Sequence, residues 1–162
     1  MKQPKHAYYM KGATLIVAMI MLLLIAIIGF GAMQTTTMEE KMAGNLRDKN
    51  ISFQAAEAGL RDREEWLSNL TEKPTPNNNW LFSGDFDWSA PLAYGADSAR
   101  VIDGVQQQPE MVVQEFEFIP DDLVIGFKAS KGRELYLIMS RGTGQSPNSS
   151  TTLESTSAKR FN

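Results

Sequence analysis

From Ala13 to residue 70 the polar pattern changes once, near position 38. Residues 13 to 38 carry no charged side chain, and Ala13 to Met33 is apolar apart from Thr14. That run of 21 residues makes a helix of roughly 30 Å, the thickness of a bilayer's hydrocarbon core. Beyond it, Met38, Met42, Leu46, Phe53, Ala56, Leu60, Leu67 and Leu70 recur at steps of 4, 4, 7, 3, 4, 7 and 3, which puts all eight on one helical face. Charged residues such as Glu39, Lys41, Arg47, Asp48, Arg61, Asp62 and Glu65 lie off that stripe. No proline stands between Pro4 and Pro74, so the pattern predicts one unbroken helix over residues 13 to about 70, ~85–90 Å long. Its first half is apolar on every side and its second is amphipathic. The second stripe, from 46 to 70, is expected to be the seam against the chain's own globular part. A coiled-coil stalk is the alternative, with only about four heptads and no a/d alternation to support it. Gly29, Gly31, Gly44 and Gly59 each weaken the helix by about 1 kcal/mol relative to Ala.

Glu72-Lys-Pro-Thr-Pro-Asn-Asn-Asn79 ends the helix with two prolines and three asparagines, and residues 73–110 read as an irregular connection. Strand-like runs follow over 111–119, 123–129, 134–140 and 151–160, separated by turns at 120–122, 131–132 and 142–148. In the first, Val112, Phe116 and Phe118 are expected on one face, and Glu115 and Glu117 on the other. Strands joined by short turns pair antiparallel. The expected fold is α+β, a long N-terminal helix packed on a small antiparallel sheet over residues 111–162.

Charge decides the orientation of the span. Lys2, Lys5 and Lys11 precede it, while the first acids, Glu39 and Glu40, follow it. Basic flanks mark the cytoplasmic side, so the leader faces the cytoplasm and the remaining ~130 residues are exported. A secretory signal would have a shorter apolar core and a small-residue cleavage site after it. There is no cysteine, which excludes disulfide stapling of the exported part. The sole histidine, His6, is in the leader. Without residues 1–12 the chain carries 13 basic against 19 acidic residues, a net charge of −6. That balance speaks against nucleic-acid binding.

The short basic leader ending in Gly12, followed by Ala13-Thr-Leu-Ile-Val17 and a long apolar helix, resembles a type IV prepilin signal. Met33-Gln-Thr-Thr-Thr-Met-Glu-Glu-Lys-Met-Ala-Gly-Asn-Leu-Arg-Asp48 and Phe53-Gln-Ala-Ala-Glu-Ala-Gly-Leu-Arg61 resemble the N-terminal signature of the PilX minor pilins. Ser140-Arg-Gly-Thr-Gly144 with Leu153-Glu-Ser-Thr156 is similar to the end of that family. The resemblance implies cleavage by a prepilin peptidase between Gly12 and Ala13, then N-methylation of Ala13. It divides the chain into a leader (1–12), a transmembrane and filament-core helix (13–33), an amphipathic continuation (34–72), a connection (73–110) and a sheet (111–162). It also implies a subunit held in the inner membrane of a Gram-negative bacterium with its head in the periplasm, later part of a surface pilus. The implied partners are other minor pilins, a large tip adhesin and the major pilin; the implied roles are pilus assembly, adhesion and twitching motility. One departure stands out. Most pilins carry a glutamate at the fifth position after the cut, and here it is Val17. Tip-type subunits share that omission, because a subunit that begins a filament has no earlier neighbour whose amine needs a carboxylate.

Other chemistry is thin. Without His or Cys after the leader, no nucleophile–base spacing emerges, and the chain is not expected to be an enzyme. Asp85 with Asp87, and Asp121 with Asp122, lack the carboxylate count and glycine placement of a calcium loop; they read as solvated turns, and no metal or cofactor is expected. Asn69-Leu-Thr71 and Asn148-Ser-Ser150 match the glycosylation triplet only as commonly as chance allows. Trp80, Trp88 and Tyr94 are expected to close a small core rather than to form an adhesive patch. Two other classes remain open at this point: a pseudopilin of a type II secretion system, and a membrane-anchored periplasmic protein.

Overall fold

The computed structural model describes residues 11–77, 79–85, 87–96, 99–121 and 131–161. Helix α1 spans Lys11–Asn69, 59 residues without a break. Strands β1 (Leu81–Ser83), β2 (Leu92–Ala93), β3 (Glu110–Pro120), β4 (Gly132–Thr143) and β5 (Ser150–Lys159) follow. The chain divides into two units between Gly44 and Asn45. In the first, every described side chain from Ala13 to Gly44 is exposed. The second contains the rest of α1 and the sheet.

The sheet is mixed, where the sequence pattern predicts a wholly antiparallel one. β3, β4 and β5 form the expected antiparallel meander. β1 pairs with β3 in parallel and β2 pairs with β3 antiparallel, both along the edge that β4 leaves open. Parallel pairing needs a long crossover, and residues 84–109 supply it. The connecting region is therefore less irregular than its composition implies. The expected strand over 123–129 lies outside the described residues.

One expectation about β3 is overturned. Glu115 pairs with Tyr136 and Glu117 with Leu135, leaving Phe116 as the extra residue of a β-bulge. A bulge sets two residues against one and reverses the face of everything beyond it. Phe118 accordingly lies opposite Glu134, on the face opposite to that of the Val112–Met139 pair, and Phe116 is exposed. The core holds Leu67, Leu81, Val113, Tyr136 and Ile138, with Leu60, Trp66, Leu70, Trp80 and Phe161 packed around it. Trp80 meets Trp66 edge-to-face at 5.1 Å, as a core-closing aromatic should. Trp88 and Tyr94 are only half-buried, with the Arg141 guanidinium 4.7 Å from the Trp88 ring centre.

Candidate assembly helix and its seam

The N-terminal part of α1 carries the residues that the sequence singles out. Gly12 and Ala13 are helical, and Val17 lies four residues on, on the same face as Ala13 and one turn away. A carboxylate at 17 would stand beside the amine of a chain beginning at Ala13; the valine is apolar and 55% exposed. From Leu15 to Met33 the large apolar side chains are all uncovered. This segment is long and apolar enough to cross a membrane, and its apolar stretch is not buried by protein. At its polar end Thr35, Thr36 and Thr37 donate their hydroxyls to the carbonyls of Gly31, Ala32 and Gln34. The three hydroxyls are thereby satisfied inside the helix, which suits a boundary between lipid and water.

Beyond Gly44 the expected stripe holds in part: Ala56 and Leu67 are buried, and Leu60 and Leu70 pack on the core. Leu46 and Phe53 are exposed, as are Met38 and Met42 before them. The residues that face the sheet are Ser52, Ala55, Ala56, Gly59, Asp62, Arg63 and Leu67. They still recur at helical spacing, but most are small. A Cβ on Gly59 would collide with the Ser140 hydroxyl and press on Pro109 and Met111. From the other side, a Cβ on Gly142 would run into the backbone of Ser52 and Ala56, and one on Gly144 into Asp48. Ser140, Gly142 and Gly144 alternate along β4 and its exit, so all three address the helix. The Ser-Arg-Gly-Thr-Gly motif thus has a physical reason: it lets helix and strand backbones come together where any larger residue would hold them apart.

Polar contacts fix the register of this close approach. Asp48 Oδ1 accepts from the backbone N–H of Gln145 at 2.6 Å and of Ser146 at 3.3 Å. Ser52 Oγ lies 2.7 Å from Thr151 Oγ1, Ser155 Oγ donates to Glu64 Oε1 at 2.5 Å, and Lys159 Nζ reaches the Ser68 carbonyl at 2.6 Å. Buried Arg63 donates to Asp62 Oδ2 at 2.6 Å and lies 5.6 and 5.5 Å from the Trp66 and Trp80 ring centres. The ammonium of Lys73, just past the helix, bridges Glu115 and Glu134 on neighbouring strands. Burial opposes its charge, but the two carboxylates outweigh that and hold Lys73 above its ordinary value. Burial beside the Glu115 charge pushes the Tyr136 phenol up to about 12.

Small residues at i, i+3, i+4 and i+7 were the signal for this seam, and a search for large apolar residues passes over them. Residues 11–61 match the family model described as PilX N-terminal. Over those 51 of the 162 residues the chain is similar to that family. The match takes in the whole uncovered apolar run, which is long and apolar enough to cross a membrane, and the seam as far as Gly59. Comparison with curated proteins and with solved structures returned no match. Among the described residues no group of three or more His, Cys, Asp or Glu side chains could hold a metal ion.

Proposed function

We propose that this protein is a minor pilin that helps to prime assembly of a type IV pilus and sits at or near its tip. Prepilin peptidase cuts between Gly12 and Ala13, Ala13 is N-methylated, and the leader stays in the cytoplasm while the head enters the periplasm. Residues 13–33 anchor the subunit and then pack among the helices of other pilins. The observation that carries this reading is a single helix that exposes every described side chain over residues 13–44 and packs closely on a sheet over residues 45–69. Lipid and a bundle of apolar helices are similar solvents for that first half, so it moves between them at little cost. Val17 supports the tip position, since it offers nothing to neutralise a preceding subunit's amine. A structural role fits the domain match, with adhesion and twitching motility following from the pilus itself.

Deleting the gene and counting surface pili and secreted enzymes tests the assignment. Loss of pili with secretion intact is expected; the reverse would make the chain a type II secretion pseudopilin. Immunogold labelling then places the subunit. Tip labelling is expected, and even labelling along filaments of wild-type cells contradicts the tip position.

A further inference from the structure

An aspartate closes a ring onto the next residue's amide when its carboxylate is unengaged, that amide is unengaged, and the next side chain does not obstruct the approach. Much of the head is protected on one of these counts. Asp48, Asp62, Asp87 and Asp121 are held by hydrogen bonds or ion pairs. The amides that follow Asn69 and Asn148 donate to the carbonyls of Leu67 and Ser146. Asp85 is exposed, but the bulky Phe86 comes next.

Asp103 has none of these protections. Asp103-Gly104 is the sole Asp-Gly pair in the sequence, and no Asn-Gly pair occurs. Both residues are exposed, in a turn between β2 and β3. Among the described residues nothing bonds to the Asp103 carboxylate or to the Gly104 N–H. Gly104 has a φ of 80° with open space where a Cβ would stand, a conformation that glycine takes without steric cost. The turn is pinned on either side. The Ile102 N–H donates to Gln108 Oε1 and Gln108 Nε2 donates to the Ile102 carbonyl, both at 2.9 Å. The Gln106 N–H donates to the Gly144 carbonyl at 2.8 Å.

We propose that Asp103 is a site of spontaneous isoaspartate formation in the folded head. The Gly104 nitrogen bonds to Asp103 Cγ, and its proton leaves with the hydroxyl of the protonated carboxyl as water, closing a cyclic imide. Water then adds to the main-chain carbonyl carbon of Asp103, and the bond from that carbon to the Gly104 nitrogen breaks. The water lost is regained, and no oxidant or cofactor takes part. The main chain now runs through Cβ and Cγ, longer by a methylene group, with the new carboxylate beside it. The added length falls between the bonded anchor points at Ile102 and Gln106.

The test keeps the full chain in detergent in warm neutral buffer, then digests it and locates isoaspartate by electron-transfer fragmentation of the peptides. Isoaspartate is expected to accumulate at 103 and not at Asp85. Gly104→Ala, which places a methyl group beside the attacking nitrogen, should lower the yield at least about tenfold. Asp103→Asn closes the same imide with loss of ammonia, and should raise the yield while converting amide to acid. It sits on an exposed side chain without contacts, so it guards against misfolding of the alanine variant. Equal yields at 103 and 85, or a yield that Asp103→Asn does not raise, would overturn the proposal. So would a folded chain that isomerises more than about tenfold slower than the urea-unfolded chain, since the turn would then protect the site.

Discussion

The two halves of α1 have the same secondary structure and opposite relations to the rest of the chain. Residues 13–44 display large apolar side chains all round and bury none of them. Residues 45–69 bury Ser52, Ala55, Ala56, Gly59, Asp62, Arg63 and Leu67 while leaving Leu46 and Phe53 in solvent. Size of side chain therefore does not mark what this helix packs against its own head. Large apolar residues occur on both sides of the contrast, Leu67 in the core and Leu46 uncovered, and small ones let two backbones approach. Helix–helix contacts in membranes use small residues for the same reason; here a helix–strand contact does so.

That contrast can be broken first at the seam. Gly142→Val places a branched side chain inside the backbone of Ser52 and Ala56 and should destabilise the head by about 3 kcal/mol or more, read as thermal unfolding of the detergent-solubilised chain. Leu67→Ala empties a site that is 1% exposed and should cost about 3 kcal/mol in the same assay. Alkali sharpens the picture at the far end of the core. Tyr136, with its folded value pushed up to about 12 against an ordinary 10.0, contributes stability that is complete below pH 10 and lost as pH rises toward 12. Lys73, also raised, acts in the same direction. A loss of about 2 kcal/mol across that window is expected, with Tyr136→Phe flattening it and changing little at pH 7. The smallest effect belongs to the other half: Leu22→Ala, at a residue 71% exposed, should leave head unfolding within about 0.5 kcal/mol. A larger change there would mean that residues 13–44 contribute to the head's stability.

Periodicity made α1 legible almost to the residue, because a proline-free run between strong signals at Gly12 and Pro74 admits little else. The three meander strands were legible for a similar reason, each bounded by Gly, Pro or Asn. The bulge at Phe116 was not, since one extra residue leaves the composition of a strand unchanged and alters only its pairing. β1 and β2 were hidden by their length: two or three residues held by β3 carry no pattern of their own. The seam was legible in part, since Ala56, Leu60, Leu67 and Leu70 of the expected stripe are buried or pack on the core; Ser52, Ala55 and Gly59 were passed over because they score as helix formers or breakers rather than as contact residues. The expected processing site rests on the basic residues before Gly12, the glycine and the apolar run alone, and Val17 stands out only against the glutamate usual in the pilins that the sequence resembles.

The mass of the intact protein, isolated in detergent from its own cells with their leader peptidase present, tests the central claim most directly. A chain that starts at Ala13 and carries one added methyl group is the expected result. A population that retains residues 1–12 throughout would contradict it and leave a plain membrane anchor.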